Sequence, residues 1–135
     1  MLIRPIIQRL EESPVFKTVR FSRDVPELDS FKPNELPAVY LLPAMVRGGN
    51  DDGDLTPQQE VTQVYSFCVI TAAPTNNGND EPLAEALDDL RARLFGFQLG
   101  PEYAPFSIGD GDLFDFNTRV NAWVESYITR RTYRK

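Results

Sequence analysis

The sequence predicts an α+β fold, in which a mixed, mainly antiparallel sheet of about five strands is covered by two amphipathic helices. Two segments carry apolar residues at helical spacing, and several others alternate apolar and polar residues at strand spacing. A polar segment between two of the predicted strands indicates a projecting β-hairpin or loop. At 135 residues the chain has the length of one domain, which we expect to span residues 1–135.

The two predicted helices have clear apolar stripes and end signals. The first helix is stopped by Pro14. The second begins at Asp80, Glu81 and Pro82, where negative charge suits the positive end of the helix dipole. Gly96 suits a left-handed conformation after its last turn. The stripes are Leu2, Ile3, Ile6, Ile7 and Leu10 in the first helix, and Leu83, Ala86, Leu87, Leu90 and Leu94 in the second.

Strands are predicted at 15–21, at 38–42 and at 60–73. The second is continuously apolar, which is typical of a central strand buried on both faces. The third alternates for about fourteen residues and would span roughly 45 Å, against about five or six residues in a typical strand. It must either project beyond the domain, with the polar loop 47–59 at the tip of a hairpin arm, or bend at a bulge and stay inside.

The last third of the chain predicts a glycine turn at Ile108–Gly111, an alternating run at 113–116 and a strand over 122–129. One side of that last strand would carry Trp123, Glu125, Tyr127, Thr129 and Arg131, and the other Ala122, Val124, Ser126 and Ile128. Both faces therefore have something to bind. Either the sheet meets its own core and a second surface, or this is an ordinary strand with core on both sides.

Composition excludes several classes of protein. Fourteen basic residues against twenty acidic ones give a net charge of -6, which excludes a generally basic nucleic-acid binder. No apolar run approaches the roughly 20 residues of a membrane span, so no membrane partner is expected. The single cysteine, Cys68, lies within a strand pattern and is expected to be a buried hydrophobe of a protein that folds in a reducing cytoplasm.

No catalytic residue, cofactor or metal is expected. The chain has no histidine, which removes the commonest general base, and one cysteine cannot assemble an ordinary zinc site. The segment starting at Asn50 fails as a calcium loop, because Leu55 and Val61 occupy the positions that need glycine and glutamate. Asp88 and Asp89 are expected to face solvent on the second helix, with Asp89 paired to Arg93.

Charge is segregated within this acidic chain. Basic residues cluster at the end of the last strand, at Arg130, Arg131, Arg134 and Lys135. If identical subunits meet head to tail, the acidic loop of one copy is the natural partner of this cluster in the next, and such contacts close into rings. The alternative is a solvated basic tail. The candidate interface residues are Arg47, Asp51, Asp52, Asp54, Trp123, Glu125, Tyr127, Arg130 and Arg131.

The order of these features resembles the tail terminator family of long-tailed bacteriophages. The points of likeness run along nearly the whole chain. They are the first helix with Ile7, Gln8, Arg9 and Leu10, the strand 38–43, the polar loop, the long strand, the helix closing in Leu94, Phe95, Gly96 and Phe97, the glycine turn, and the strand with Trp123, Glu125, Tyr127 and Thr129.

The resemblance implies a structural virion protein that is not an enzyme. Such a protein would form a hexameric ring on the head-proximal end of the tail tube, stop tube polymerisation and offer a surface to the head–tail connector or neck protein. Its partners would be its own copies, the tail tube protein and that connector, and genome DNA would pass through the lumen without specific binding. It would be assembled in the host cytoplasm. The alternatives are another neck or tube component, or a small carboxylate-dependent enzyme or ligand-binding domain.

Overall fold

The computed structural model of the chain describes residues 2–51, 57–74 and 80–134. Helices α1 and α2 span Arg4–Glu11 and Glu81–Leu94, and neither is long and apolar enough to cross a membrane. The strands are β1 Thr18–Phe21, β2 Ala38–Leu41, β3 Met45–Asp51, β4 Gln58–Ala72, β5 Ser107–Phe116 and β6 Val120–Arg134. The predicted α+β class is confirmed, with six strands in one sheet where about five were expected.

The sheet is built on the pairing of β4 with β6. These two strands of 15 residues pair antiparallel without a register shift, from Gln58 opposite Arg134 to Ala72 opposite Val120. The other edge of β4 is shared, because β2 pairs antiparallel with its second half and β3 with its first. Strand β1 then pairs parallel with β2, and β5 pairs antiparallel with β6. The predicted long strand is therefore continuous and not broken by a bulge.

Strand β3 replaces part of the segment predicted as a loop, so the loop boundary at Arg47 was wrong. The run of Gly48, Gly49 and Asn50 has low strand propensity, but pairing with the free edge of β4 satisfies its backbone groups. A Cβ atom on Gly49 would lie 2.9 Å from the carbonyl oxygen of Glu60, so glycine permits this close approach. The ends of β3, β4 and β6 form a three-stranded extension, and the tip of its β3–β4 hairpin falls outside the described residues.

The two helices cover one face of the sheet, here called the helix face. All five residues of the predicted α2 stripe are buried, as are Ile6 and Leu10 of α1. Gly96 takes the left-handed conformation expected after α2, with φ of 79°. Aromatic rings from the sheet fill the space beneath the helices and meet edge to face, among them Phe67 on Tyr127 with ring centroids 5.5 Å apart.

The opposite face, here called the loop face, is covered along β2, β4 and β6 by the segment 22–37. Phe31 of that segment packs edge to face on Tyr40, and together they close over Cys68 and Ile70. The predicted burial of Cys68 is confirmed. At its start β6 has core on both sides, because Ala122 is buried on the loop face while Trp123 packs against the helix-face core.

The predicted glycine turn at Ile108–Gly111 was wrong, because these residues lie within β5. A Cβ on Gly109 would meet Ser126 and Ile128 at 3.3–3.4 Å, and one on Gly111 would meet Trp123 and Glu125 at 3.0–3.1 Å. Two register shifts interrupt the β5–β6 ladder, one of them at these glycines. The glycines therefore mark a close approach of two strands and not a change of direction.

The predicted pair between Asp89 and Arg93 is confirmed at 3.2 Å, but the expected exposure of Asp89 is wrong. Its carboxylate also accepts a hydrogen bond from the hydroxyl of Ser13, in the turn that follows α1. This contact covers Asp89 because α1 and α2 pack side by side, whereas Asp88 is exposed as predicted.

Gly111→Ala should destabilise the fold by about 1–3 kcal/mol, because the added methyl group meets Trp123 and Glu125 inside ordinary contact distance. Urea denaturation would measure the change in the free energy of unfolding. Gly100→Ala is the control, since its Cβ would find neighbours only at 3.5–3.7 Å and should change stability by less than about 1 kcal/mol. Equal effects of the two substitutions would contradict the packing described here.

Candidate functional site

The acidic and basic ends of the predicted interface lie at the same end of the sheet. Asp51 ends β3 opposite Gln59 of β4, and Gln59 in turn pairs with Tyr133 of β6. Asp52 and Asp54 lie outside the described residues. Strand β3 is on one side of β4 and β6 on the other, so Asp51 and the basic end of β6 flank the same extension from opposite sides.

The three predicted basic residues differ in how firmly the domain holds them. Arg47 on β3 is exposed, and Arg130 on β6 is also exposed, with its Nε 3.8 Å from a carboxylate oxygen of Glu60. Arg131 is half-buried: its guanidinium stacks 4.5 Å from the ring centre of Tyr133, and it donates a hydrogen bond of 3.2 Å to the Tyr103 hydroxyl. That hydrogen bond raises the pKa of Arg131. Arg47 and Arg130 are thus available for an outside contact, while Arg131 is held within the subunit.

Glu125 and Tyr127 lie inside the subunit and not on its surface. Glu125 is 1% exposed, and its carboxylate receives two hydrogen bonds from Arg91 of α2, Nε to Oε2 at 3.0 Å and Nη2 to Oε1 at 2.6 Å. The Tyr127 hydroxyl donates a third at 2.8 Å. These two residues could therefore affect a contact between subunits only through the groups that cover them.

The pairing fixes the charge of Glu125. Burial alone would raise the pKa of the Glu125 carboxyl, but the hydrogen bonds from Arg91 and Tyr127 and the charge of Arg91 outweigh it, so the pKa is lowered. Burial and the hydrogen bond to Glu125 together raise the pKa of Tyr127. Arg91 was missed as a partner, although an acidic residue in the middle of an apolar strand signals that some cation must reach it.

Trp123 links this buried pair to the β5 edge. Its ring lies against Gly111, and its buried indole N–H finds no hydrogen-bond acceptor among the described residues, although it lies close enough to Glu125 to help hold the carboxylate charged. Trp123 also lines a groove of about 520 Å³ with Leu113 and Phe116 of β5. The half-buried tryptophan is therefore continuous with an exposed apolar surface.

Strand β5 forms one outer edge of the sheet and is unusually apolar for an exposed strand. Phe114 and Phe116 are 62% and 66% exposed, and Leu113 is exposed beside them. The same strand carries three exposed aspartates, Asp110 and Asp112 before these residues and Asp115 between the two phenylalanines. A long exposed edge with apolar side chains offers unpaired backbone groups for another strand.

Strand β1 forms the opposite outer edge, and its charges have the other sign. Phe21 is 51% exposed there, and the exposed basic residues Lys17, Arg20 and Arg23 stand around it. None of these three side chains forms an ion pair with a described residue, and the same holds for the β5 aspartates. The interface predicted from the sequence included neither edge. Counting the charges in each segment would have indicated both.

The described residues hold no group of three or more acidic or cysteine side chains placed to bind a metal ion. What the surface offers instead is strand edges, exposed aromatic rings and separated charges. Such features bind other proteins through backbone hydrogen bonds, apolar burial and charge complementarity.

Arg91→Met should lower the free energy of unfolding by about 2–3 kcal/mol at pH 7, because Glu125 would remain buried and charged without its cation. The loss should be smaller than for a fully buried pair, since the Arg91 side chain is 39% exposed. Pairing lowers the folded-state pKa of Glu125, so its stabilisation is complete above the unfolded pKa and lost as the pH falls through the folded one.

The difference in the free energy of unfolding between wild type and Arg91→Met should therefore be smaller at pH 3.5 than at pH 7. The reason is that the unpaired Glu125 carboxyl of the variant takes up a proton more readily. Urea midpoints at the two pH values measure the difference. Arg93→Met, which removes a pair within α2, is the control and should cost about 0.5 kcal/mol. A difference that is independent of pH would argue against a charged Glu125.

Comparison with known proteins places the whole chain in one family. A family profile described as "Phage tail terminator protein" matches residues 1–135 of the chain. No curated protein matches the chain. Because the profile covers every element of the fold described above, the chain belongs to the phage tail terminator protein family.

Proposed function

We propose that copies of this chain form a closed ring, a hexamer, on the head-proximal end of the phage tail tube. The ring stops tube polymerisation and presents its other face to the head–tail connector or neck protein. Membership of the phage tail terminator family supports this role, since it implies a structural virion protein that associates with other tail components.

The observation that carries the ring is the presence of two unlike open sides on one subunit. Among the described residues the sheet ends at β1 and β3 on one side and at β5 and the last residues of β6 on the other, and it does not close on itself. Tyr103 and Ala104 pair with Arg131 and Arg130, so only the part of β6 after Arg131 is open. A contact between two different sides of identical copies is heterologous, and repetition of such a contact closes a ring when the rotation between copies fits.

The predicted charge pairing agrees with this geometry. In a ring all copies have the same orientation, so the end of β3 at Asp51 in one copy would face the end of β6 in the next. The proposed contact is made by the acidic segment with Asp51, Asp52 and Asp54. Arg130 is exposed near the end of β6. Arg47 flanks the contact, since it pairs with Thr62 opposite Arg130, whereas Trp123 lies near the start of β6 against β5. Arg131 shapes the β6 end through its tyrosine partners, and Glu125 and Tyr127 support the strand from inside.

Two further properties suit a ring through which DNA must pass. A wall that is acidic overall repels a moving polyanion, and the net charge of -6 per copy supports passage of the genome without specific binding. A ring with two different faces can bind the last tube ring through one face, while its other face cannot start a further tube ring. No chemical step is involved.

Loss of the protein should leave tail tubes without a fixed end. Tubes assembled without it are expected to vary in length and to fail to join filled heads, and added protein should bind at one end of each tube. Negative-stain electron microscopy would measure tube lengths and end density. Uniform tails that join heads normally in its absence would defeat the proposal. Normal tail length with failed joining would indicate a neck component instead.

Neutralising the acidic segment should weaken ring assembly more than folding. For the variant Asp51→Asn/Asp52→Asn/Asp54→Asn we expect about tenfold weaker association, because favourable charge contacts between copies are lost. Sedimentation velocity measures the association and urea denaturation the stability. The matched control neutralises three exposed acids elsewhere, Glu11→Gln/Glu85→Gln/Asp88→Asn. If folding and association fall together in the first variant, the charge pairing is refuted.

A further inference from the structure

We infer that neighbouring copies join their sheets edge to edge, with the basic β1 strand of one copy against the acidic β5 strand of the next. This inference rests on the proposed ring and names the strands that make its main contact. These two strands are the ends of the path β1-β2-β4-β6-β5, so within the described part of the chain each has one edge without a neighbouring strand.

The two edges carry complementary charge of equal size. Between Lys17 and Arg23 the chain has three basic residues and no acidic one, while Ser107–Phe116 has three acidic residues and no basic one. All six side chains belong to exposed residues and make no ion pair with the described residues of their own subunit. In a chain with six more acidic than basic residues, this separation gives one edge that repels itself and attracts the other.

Three of these charges, Arg20, Asp112 and Asp115, lie on the same face of the sheet. Arg20 pairs with Tyr40, a residue of the loop-face core. On the other edge, Asp112 and Asp115 pair with Val124 and Ala122 of that same core. When two sheets continue into each other, like faces align, so Arg20 of one copy comes beside these aspartates of the next.

The helix face supplies an apolar counterpart. Phe21 pairs with Leu41, which belongs to the helix-face core, and is itself half-exposed. On β5, Leu113 and Phe116 pair with Trp123 and with Asn121, its neighbour on the same face. A joined sheet would therefore place Phe21 beside the exposed Leu113 and Phe116 and remove apolar surface from water on that face.

Strand direction permits the junction. Strand β1 runs parallel to β2, and β2, β4, β6 and β5 alternate in direction, so β1 and β5 point opposite ways. Edge-to-edge continuation then creates an antiparallel pair, which satisfies backbone groups on both strands. The β1–β5 junction joins the same two sides of the subunit as the proposed contact between the acidic segment and the β6 end. One rotation between neighbouring copies can therefore make both contacts.

Charge reversal on each edge tests this junction in the full-length protein. The β5 variant is Asp110→Lys/Asp112→Lys/Asp115→Lys, and the β1 variant is Lys17→Glu/Arg20→Glu/Arg23→Glu. Each should weaken self-association by about 100-fold or more, because like charges then face each other across the junction. The control Glu11→Lys/Glu85→Lys/Asp88→Lys changes the net charge as much as the β5 variant does and should associate like wild type.

Mixing the two variants gives the decisive result. The β5 variant has two basic edges and the β1 variant two acidic ones, so neither associates alone, but a mixture should form closed rings in which they alternate. Alternation closes only in rings with an even number of copies, which a hexamer satisfies. A chain carrying both sets of substitutions should also recover self-association. Sedimentation velocity and native mass spectrometry at about 0.05 M salt, where charge contacts are weakly screened, provide the measurements.

Thermal melts of each variant keep folding separate from assembly. If a triple variant unfolds, Arg20→Glu alone and Asp112→Lys alone replace the pair. The β1–β5 junction is overturned if either variant alone assembles like wild type, or if the mixture of the two stays monomeric. This holds even if the wild-type protein caps tubes. Wild-type rings that ignore tube ends, with mixing behaving as expected, overturn the proposed function and leave the junction standing. Wild type that neither associates nor binds tubes overturns both.

Discussion

The pairing of β4 with β6 is the constraint on which the rest of the structure depends. Fifteen residues of each strand pair in one unbroken register, and every other strand attaches to one of these two or to β2. The register determines which side chains face the helices and which face the segment 22–37, because a slip of one residue would exchange the two faces. It also carries the sheet beyond the helices as a three-stranded extension.

The buried pair of Arg91 and Glu125 ties α2 to this central ladder. The carboxylate stands in the middle of β6 and is satisfied by a cation from the helix and by the hydroxyl of Tyr127. Gly111 lets the outer strand β5 approach closely over the same residues. One cluster of polar groups thus sets the positions of the helix, the central strand and the edge strand relative to one another, since unpaired burial of the charge would be costly.

A subunit with this strand order has open sheet edges. The sheet formed by the described residues does not curl into a barrel, so backbone groups on β1, β3 and β5 have no strand partner among those residues. Folded monomers usually protect such edges, yet here the edges carry exposed phenylalanines and charges that form no ion pair with a described residue. This arrangement agrees with membership of a family of structural tail proteins that associate with other tail components.

The sequence by itself determined the α+β class, both helices, the buried stripe of α2, the long strand and the family, because periodicity and end signals are local properties of the chain. Of the stripe predicted for the first helix, Ile6 and Leu10 are buried, whereas Leu2 is exposed. The sequence did not determine β3 or the path of β5, where glycines that read as loop or turn serve close strand contacts. Nor did it separate Glu125 and Tyr127, which are buried, from Arg130, which is exposed. Those outcomes depend on which strands become neighbours and on what covers each face, and only the tertiary structure brings residues distant in sequence, such as Arg91 and Glu125, together.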